Sequence, residues 1–135
     1  MKTKVIHKVQ YYETDKMGVT HHSNYVRFME EARIAFMEDI GFGYDKMEEE
    51  GIISPVVSIK CDYKRNTSFP DIIEIEVSVV KATPVRLVIG YHMTVGDITV
   101  CTAESTHCFL SPEGNILNIS TALPEFWKRI SGETN

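Results

Sequence analysis

Hydrophobic periodicity changes once along this chain, and that change limits the folds open to it. Between Tyr25 and Ile40 the apolar residues Tyr25, Phe28, Met29, Ala32, Ala35, Phe36 and Ile40 recur at helical spacing, with Arg27, Glu30, Glu31, Arg33 and Glu38 mostly off the stripe. Beyond residue 55 the spacing turns to two. Val57, Ile59, Cys61 and Tyr63 share one strand face, and Ile73, Ile75, Val77 and Val79 alternate with Glu74, Glu76 and Ser78. Val85 to Val95 alternates likewise, and a last long strand is expected from Ile98 to Leu110. A first strand is expected over Thr3–Glu13, with short helices over Tyr44–Glu50 and Leu123–Ile130. Gly41 supplies a stop for the long helix, Gly96-Asp97 a tight turn, and Pro124 a helix start.

The order is one strand, a long helix, then four strands. It contains no βαβ alternation, so it excludes a doubly wound parallel sheet and points to the α+β class. Consecutive long strands joined by tight links are expected to form an antiparallel meander. One face of that sheet needs cover, and the helix over residues 24–40 is the only element long enough, at roughly 25 Å for about 1.5 Å per residue. With 135 residues, 43% of them apolar, and no repeat or linker, residues 1–135 are expected to form a single domain.

Composition removes several classes of function. A net charge of -5 and a pI near 5.5 argue against a general nucleic-acid binder. No stretch approaches the roughly 20 apolar residues of a membrane span. The first nine residues are basic but lack the apolar run of a signal peptide. The three cysteines, Cys61, Cys101 and Cys108, form no CxxC pair, which suits reduced thiols in a cytoplasmic protein. Nothing beside them in sequence would lower a thiol pKa.

Chemistry concentrates between Tyr12 and Tyr25. This short link holds Asp15, Gly18, His21, His22 and the helix-start residues Ser23 and Asn24. A loop positioned by a rigid scaffold commonly carries function, and a helix N-terminus offers unpaired N–H groups that favour negative charge. Taken alone, Asp15 after Thr14 is a turn residue that bonds its own backbone. Gly18 suits unusual dihedrals or close ligand approach. Asp15, His21 and His22 have no further ligand at a recognised spacing, so no metal site is expected. His21 reads as exposed or structural, and His92 and His107 need only a satisfied hydrogen bond. Tyr25 opens the apolar stripe, so packing is its default role.

The run Tyr12-Glu13-Thr14-Asp15, then Gly18-Val19, then His22-Ser23-Asn24-Tyr25, with Asp62-Tyr63-Lys64-Arg65 downstream, resembles the hotdog-fold acyl-CoA thioesterases. The resemblance is to the 4-hydroxybenzoyl-CoA thioesterase family and its YbgC-like relatives, over about residues 4–120. It implies a hotdog fold, an antiparallel β-sheet wrapped around one long central helix. It also implies hydrolysis of acyl-CoA or acyl-carrier-protein thioesters, with coenzyme A entering as part of the substrate and no separate cofactor. By this resemblance Asp15 is the nucleophile or general base. The N–H of His22 is the main donor to the carbonyl oxygen, a contribution of about 100- to 1000-fold in rate. The His22 side chain would orient Asp15, bind the carbonyl or protonate the leaving thiolate. Lys64 and Arg65 are the expected contacts for the coenzyme A phosphates, and Tyr25 a wall of the acyl pocket.

The chain departs from its relatives at Lys16-Met17, where small residues are usual, and at Thr20-His21, where an aromatic often precedes the histidine. Both places flank the expected nucleophile and bear on acyl preference. Edge strands and an uncovered sheet face call for pairing around a two-fold axis. As in the resembled family, a homodimer or homotetramer is expected, with the Asp15 loop of one subunit near residues of the other. Two other functions suit the same fold, a hydratase or dehydratase of acyl thioesters and a non-catalytic acyl-thioester binding protein. The former pairs a histidine with an acidic residue on the central helix. Here the acidic residue precedes the helix, which favours the hydrolase.

Overall fold

In the computed structural model, which describes residues 2–132, the apolar stripe forms helix α1 (Asn24–Asp39). Before it come β1 (Thr3–Lys8) and a 3-10 turn (Tyr11–Glu13). After it come α2 (Tyr44–Glu49), β2 (Val56–Tyr63), β3 (Ile72–Thr83), β4 (Arg86–Val95), β5 (Ile98–His107), α3 (Ile119–Ala122) and α4 (Pro124–Ser131). The five strands form one sheet in the order β1-β3-β4-β5-β2, and every neighbouring pair is antiparallel. This is the expected sheet around one long helix.

Helix α1 packs on β1 and β3. Phe28, Met29, Ala32 and Phe36 from the stripe are fully buried in one core with Ile73, Ile75 and Val77 of β3 and Ile89 and Met93 of β4. Burial of each large side chain contributes about 1.5–3 kcal/mol, and this holds a helix that propensity alone would leave marginal. Arg33 departs from the sequence reading. It was expected off the stripe but is buried, because it stands four residues after Met29 and three before Phe36, on the covered face.

The meander is shorter than expected. The β3–β4 and β4–β5 hairpins form, the second closed by Gly96 at φ +60°. Strand β2, however, lies at the far edge beside β5 and does not touch β3 in the ladder. Its link to β3 is no tight turn. The N–H groups of Lys64 and Arg65 both donate to Val100 O at 2.9 and 3.1 Å, and Thr67 O accepts from Thr20 N–H at 2.8 Å. The link therefore passes under the start of α1, and β3 begins on the other side of the sheet. The first strand also stops early, at Lys8, because Glu13 turns the chain by accepting the Gln10 N–H at 2.7 Å. The last strand ends at His107 and not at Leu110.

Candidate active site

The Asp15 loop is closed at its base by a Thr14–Thr20 bridge. Within it the Asp15 N–H donates to Val19 O and the Gly18 N–H to Asp15 O, each at 2.9 Å. Gly18 takes φ +78°, a conformation that costs other residues about 1–2 kcal/mol. One carboxylate oxygen of Asp15, Oδ1, accepts the Met17 N–H at 2.9 Å, so the turn role read from sequence is real. It engages one oxygen only and leaves the carboxylate half-buried at the loop's edge.

Two sets of buried bonds anchor this loop to the scaffold. Glu13 O accepts from the His21 N–H at 2.8 Å and from the Asn24 side-chain amide at 2.9 Å. On the other side the Thr67 hydroxyl meets Thr20 Oγ1 at 2.6 Å and the Tyr25 hydroxyl at 2.8 Å. Helix α1 starts at this junction. Ser23 occupies the cap position without a side-chain cap bond, its hydroxyl lying 2.8 Å from His21 Nδ1 instead. The His22 N–H has no hydrogen-bond partner among the described residues. That is the orphan donor a helix start provides.

Asp15, His22, Tyr25 and Arg65 line one cleft of about 340 Å³ together with Tyr63 and Asn66. Asp15 also lines an adjoining open hollow of about 740 Å³ with Gly18, Lys16, Tyr11, Tyr12 and Phe69. Four of the six residues singled out in the sequence thus meet in one cleft and Gly18 lies next door. Lys64 lines neither. His21 is exposed and stacked on His22, ring centroids 4.3 Å apart.

Sequence reasoning missed Tyr63, Asn66 and Thr67. The Tyr63 hydroxyl donates to His22 O at 3.3 Å, and its ring meets Tyr25 edge-on at 5.2 Å. Tyr63 shares a strand face with Cys61, whose thiol lies 3.6 Å from Met29 Sδ on α1. That alternation was the signal that could have placed Tyr63 at the helix side. Burial pushes the Tyr63 phenol up to about 12 and also raises Tyr25, so both are neutral donors near pH 7. Burial pushes the Cys101 thiol up to about 12 and raises Cys61, which leaves neither as a thiolate nucleophile. Among the described residues no group of three His, Cys, Asp or Glu is placed to hold a metal.

Asp15 and His22, whose amide is unpaired at the helix start, line one cleft, and the amino-acid sequence matches a known family model over residues 9–128. The chain belongs to the thioesterase-like superfamily. Its class as a thioester hydrolase and its hotdog architecture accord with the resemblance read from the loop. An Aquifex aeolicus (strain VF5) protein with the provisional name esterase is 34% identical over 90% of this chain and 94% of its own. A Bacillus subtilis (strain 168) protein with the provisional name acyl-CoA thioesterase YneP is 31% identical over 88% of each. A DHNA-CoA thioesterase from Staphylococcus aureus superposes with a TM-score of 0.92 at 27% identity, covering 97% of this chain and 89% of that one. No helix among the described residues of this thioesterase-like chain is long and apolar enough to cross a membrane.

Proposed function

We propose that this chain hydrolyses acyl-CoA thioesters with Asp15 as the reacting carboxylate and the His22 N–H as donor to the carbonyl oxygen. The observation that carries the reading is the shared cleft, in which Asp15 lies beside a residue whose amide is free at a helix start. As general base, Asp15 takes a proton from water, the hydroxide adds to the thioester carbon, and the thiolate leaves and is protonated. As nucleophile, Asp15 adds to the same carbon, expels the thiolate and forms an anhydride that water then opens. In both routes negative charge develops on the carbonyl oxygen, where the His22 amide acts.

Arg65, on the same cleft, is suited to a coenzyme A phosphate, and the name of the Bacillus subtilis relative favours coenzyme A over a carrier protein as the thiol. Tyr25 walls the acyl group. No acidic residue of α1 lines this cleft, which favours the hydrolase over the hydratase or dehydratase arrangement. Three unpaired thiols suit a reducing, cytoplasmic setting.

The functional unit is at least a homodimer joined through β2. As an edge strand β2 has one backbone edge unpaired in the ladder, and it leaves the apolar side chains of Val57, Ile59 and Tyr63 exposed, at 46%, 39% and 48%. A thiol-release assay over aliphatic and aromatic acyl-CoA esters tests the function. Asp15→Asn should lose at least about 100-fold in kcat on every ester cleaved by the wild type, with the oligomer intact. Near-normal turnover in that variant would remove Asp15 from the reaction.

A further inference from the structure

Arg33 is a buried cation without a buried anion. It is 8% exposed, and among the described residues no carboxylate pairs with it. Its Nε donates to the Tyr44 hydroxyl at 3.0 Å and its Nη1 to the Tyr91 hydroxyl at 3.1 Å. Behind Tyr91, Ser105 Oγ lies at 2.6 Å, and His107 Nε2 lies 2.7 Å beyond Ser105 Oγ. These hydroxyls fix the guanidinium in one orientation, but dipoles replace only part of the hydration a buried cation loses. Nη2 has no hydrogen-bond partner among the described residues.

Arg33 lines a cleft of about 370 Å³ with Ile34, Tyr44, Ile52 and Ile53. The exposed Glu30 and Glu48 rim it. An apolar wall ending in one fixed guanidinium edge suits a carboxylate carried on an apolar chain. The two rim carboxylates repel any entering anion, so only one that gains the full guanidinium contact is held there.

The position of this cleft connects it to the reaction. Tyr63, in the Asp15 cleft, ends β2, whereas Ile53 leads into its other end. The strand β2 is about 23 Å long, and along α1 Arg33 stands eight residues, about 12 Å, beyond Tyr25 of the Asp15 cleft, so a short acyl group held at Asp15 does not reach Arg33 of its own chain. Two β2 strands paired antiparallel about a dyad bring Tyr63 of one copy against the start of β2 in the other. The Asp15 cleft of one subunit then adjoins the Arg33 cleft of its partner.

We propose that Arg33 of the partner subunit binds a carboxylate at the far end of the acyl group, so that the enzyme prefers thioesters of dicarboxylic acids. The proposal rests on the hydrolase reading of the Asp15 cleft and on pairing through β2. Its test compares matched pairs of coenzyme A esters that differ only by a terminal methyl or carboxylate, from butyryl and succinyl to octanoyl and suberyl. At the best-fitting length the carboxylate ester should have a kcat/KM about 10- to 100-fold higher, the range of one charge-assisted contact. Arg33→Met should collapse that ratio to about one, and Arg33→Lys should keep part of it. A wild-type ratio of one or less at every length overturns the proposal without recourse to any variant, and so does a ratio that survives in Arg33→Met. If no ester is cleaved, the hydrolase reading fails, and calorimetry of the same pairs on wild-type protein decides the Arg33 site alone. Tighter binding of the carboxylate partner supports it, and equal binding overturns it.

Discussion

Replacing Thr67 by valine should loosen the Asp15 loop at a cost that the structure allows to be worked out. The Thr67 hydroxyl is the shared partner of Thr20 Oγ1 and the Tyr25 hydroxyl, at 2.6 and 2.8 Å, and all three residues are buried. Neither Thr20 Oγ1 nor the Tyr25 hydroxyl has another partner among the described residues. Valine preserves the shape of the side chain but leaves two buried hydroxyls unsatisfied. At about 1–3 kcal/mol for each of the two orphaned groups, a loss of about 2–6 kcal/mol is expected. For a chain of this size that corresponds to a fall of about 7–21 °C in Tm. Urea unfolding followed by Trp127 fluorescence, at one fixed protein concentration, measures it. The triple variant Thr20→Val, Tyr25→Phe, Thr67→Val is the discriminating control. It removes every hydroxyl of the cluster, leaves none unpaired, and should be more stable than Thr67→Val alone. The reasoning fails if Thr67→Val lies within about 0.5 kcal/mol of wild type, or if the triple variant loses more than the single one.

His107 should make stability depend on pH between about 4 and 6.5. Burial, helped by the Arg33 charge, lowers it to about 4 from an ordinary value of 6.5, so it is neutral in the folded protein where the unfolded chain binds a proton. Its contribution is complete above pH 6.5 and is lost as pH falls toward about 4, amounting to about 3 kcal/mol in all. Urea unfolding at several pH values should show a flatter dependence in His107→Gln, and an unchanged slope would contradict the assignment. Ile59→Lys places a charge on the exposed apolar face of β2 and should convert the oligomer to monomer in size-exclusion chromatography with light scattering. Thiol release should fall with it, and an oligomer of unchanged mass would exclude β2 as the joint.

Local features were legible in the chain to different depths. Helix α1 and the alternation of β3 could be read directly, because each is a pattern within one segment. The loop was legible in the same way, since Asp15, Gly18 and His22 lie within a few residues of one another and the helix start brings them together. Lys64 and Arg65 could not be separated by sequence, although only Arg65 lines the cleft. Both follow the end of β2 in the link over residues 64–71, where both N–H groups donate to Val100 O, and which side chain meets the cleft depends on the path of that link. The place of β2 in the sheet was misread. The position of β2 beside β5 depends on the path of the link over residues 64–71, which is held by Val100 and Thr20, both remote in sequence.

The chain by itself determined the class of fold, the single covering helix and the place of the candidate loop, because periodicity, turn residues and a compact motif are written in consecutive positions. Only the tertiary structure decided what surrounds that loop. It set Thr67 and Tyr63 against the start of α1, and it buried Arg33 on hydroxyls instead of a carboxylate. It also left β2 as an apolar edge. Each of these is a contact between segments distant in the chain, and such contacts are selected by the packing of the whole core and not by any local preference.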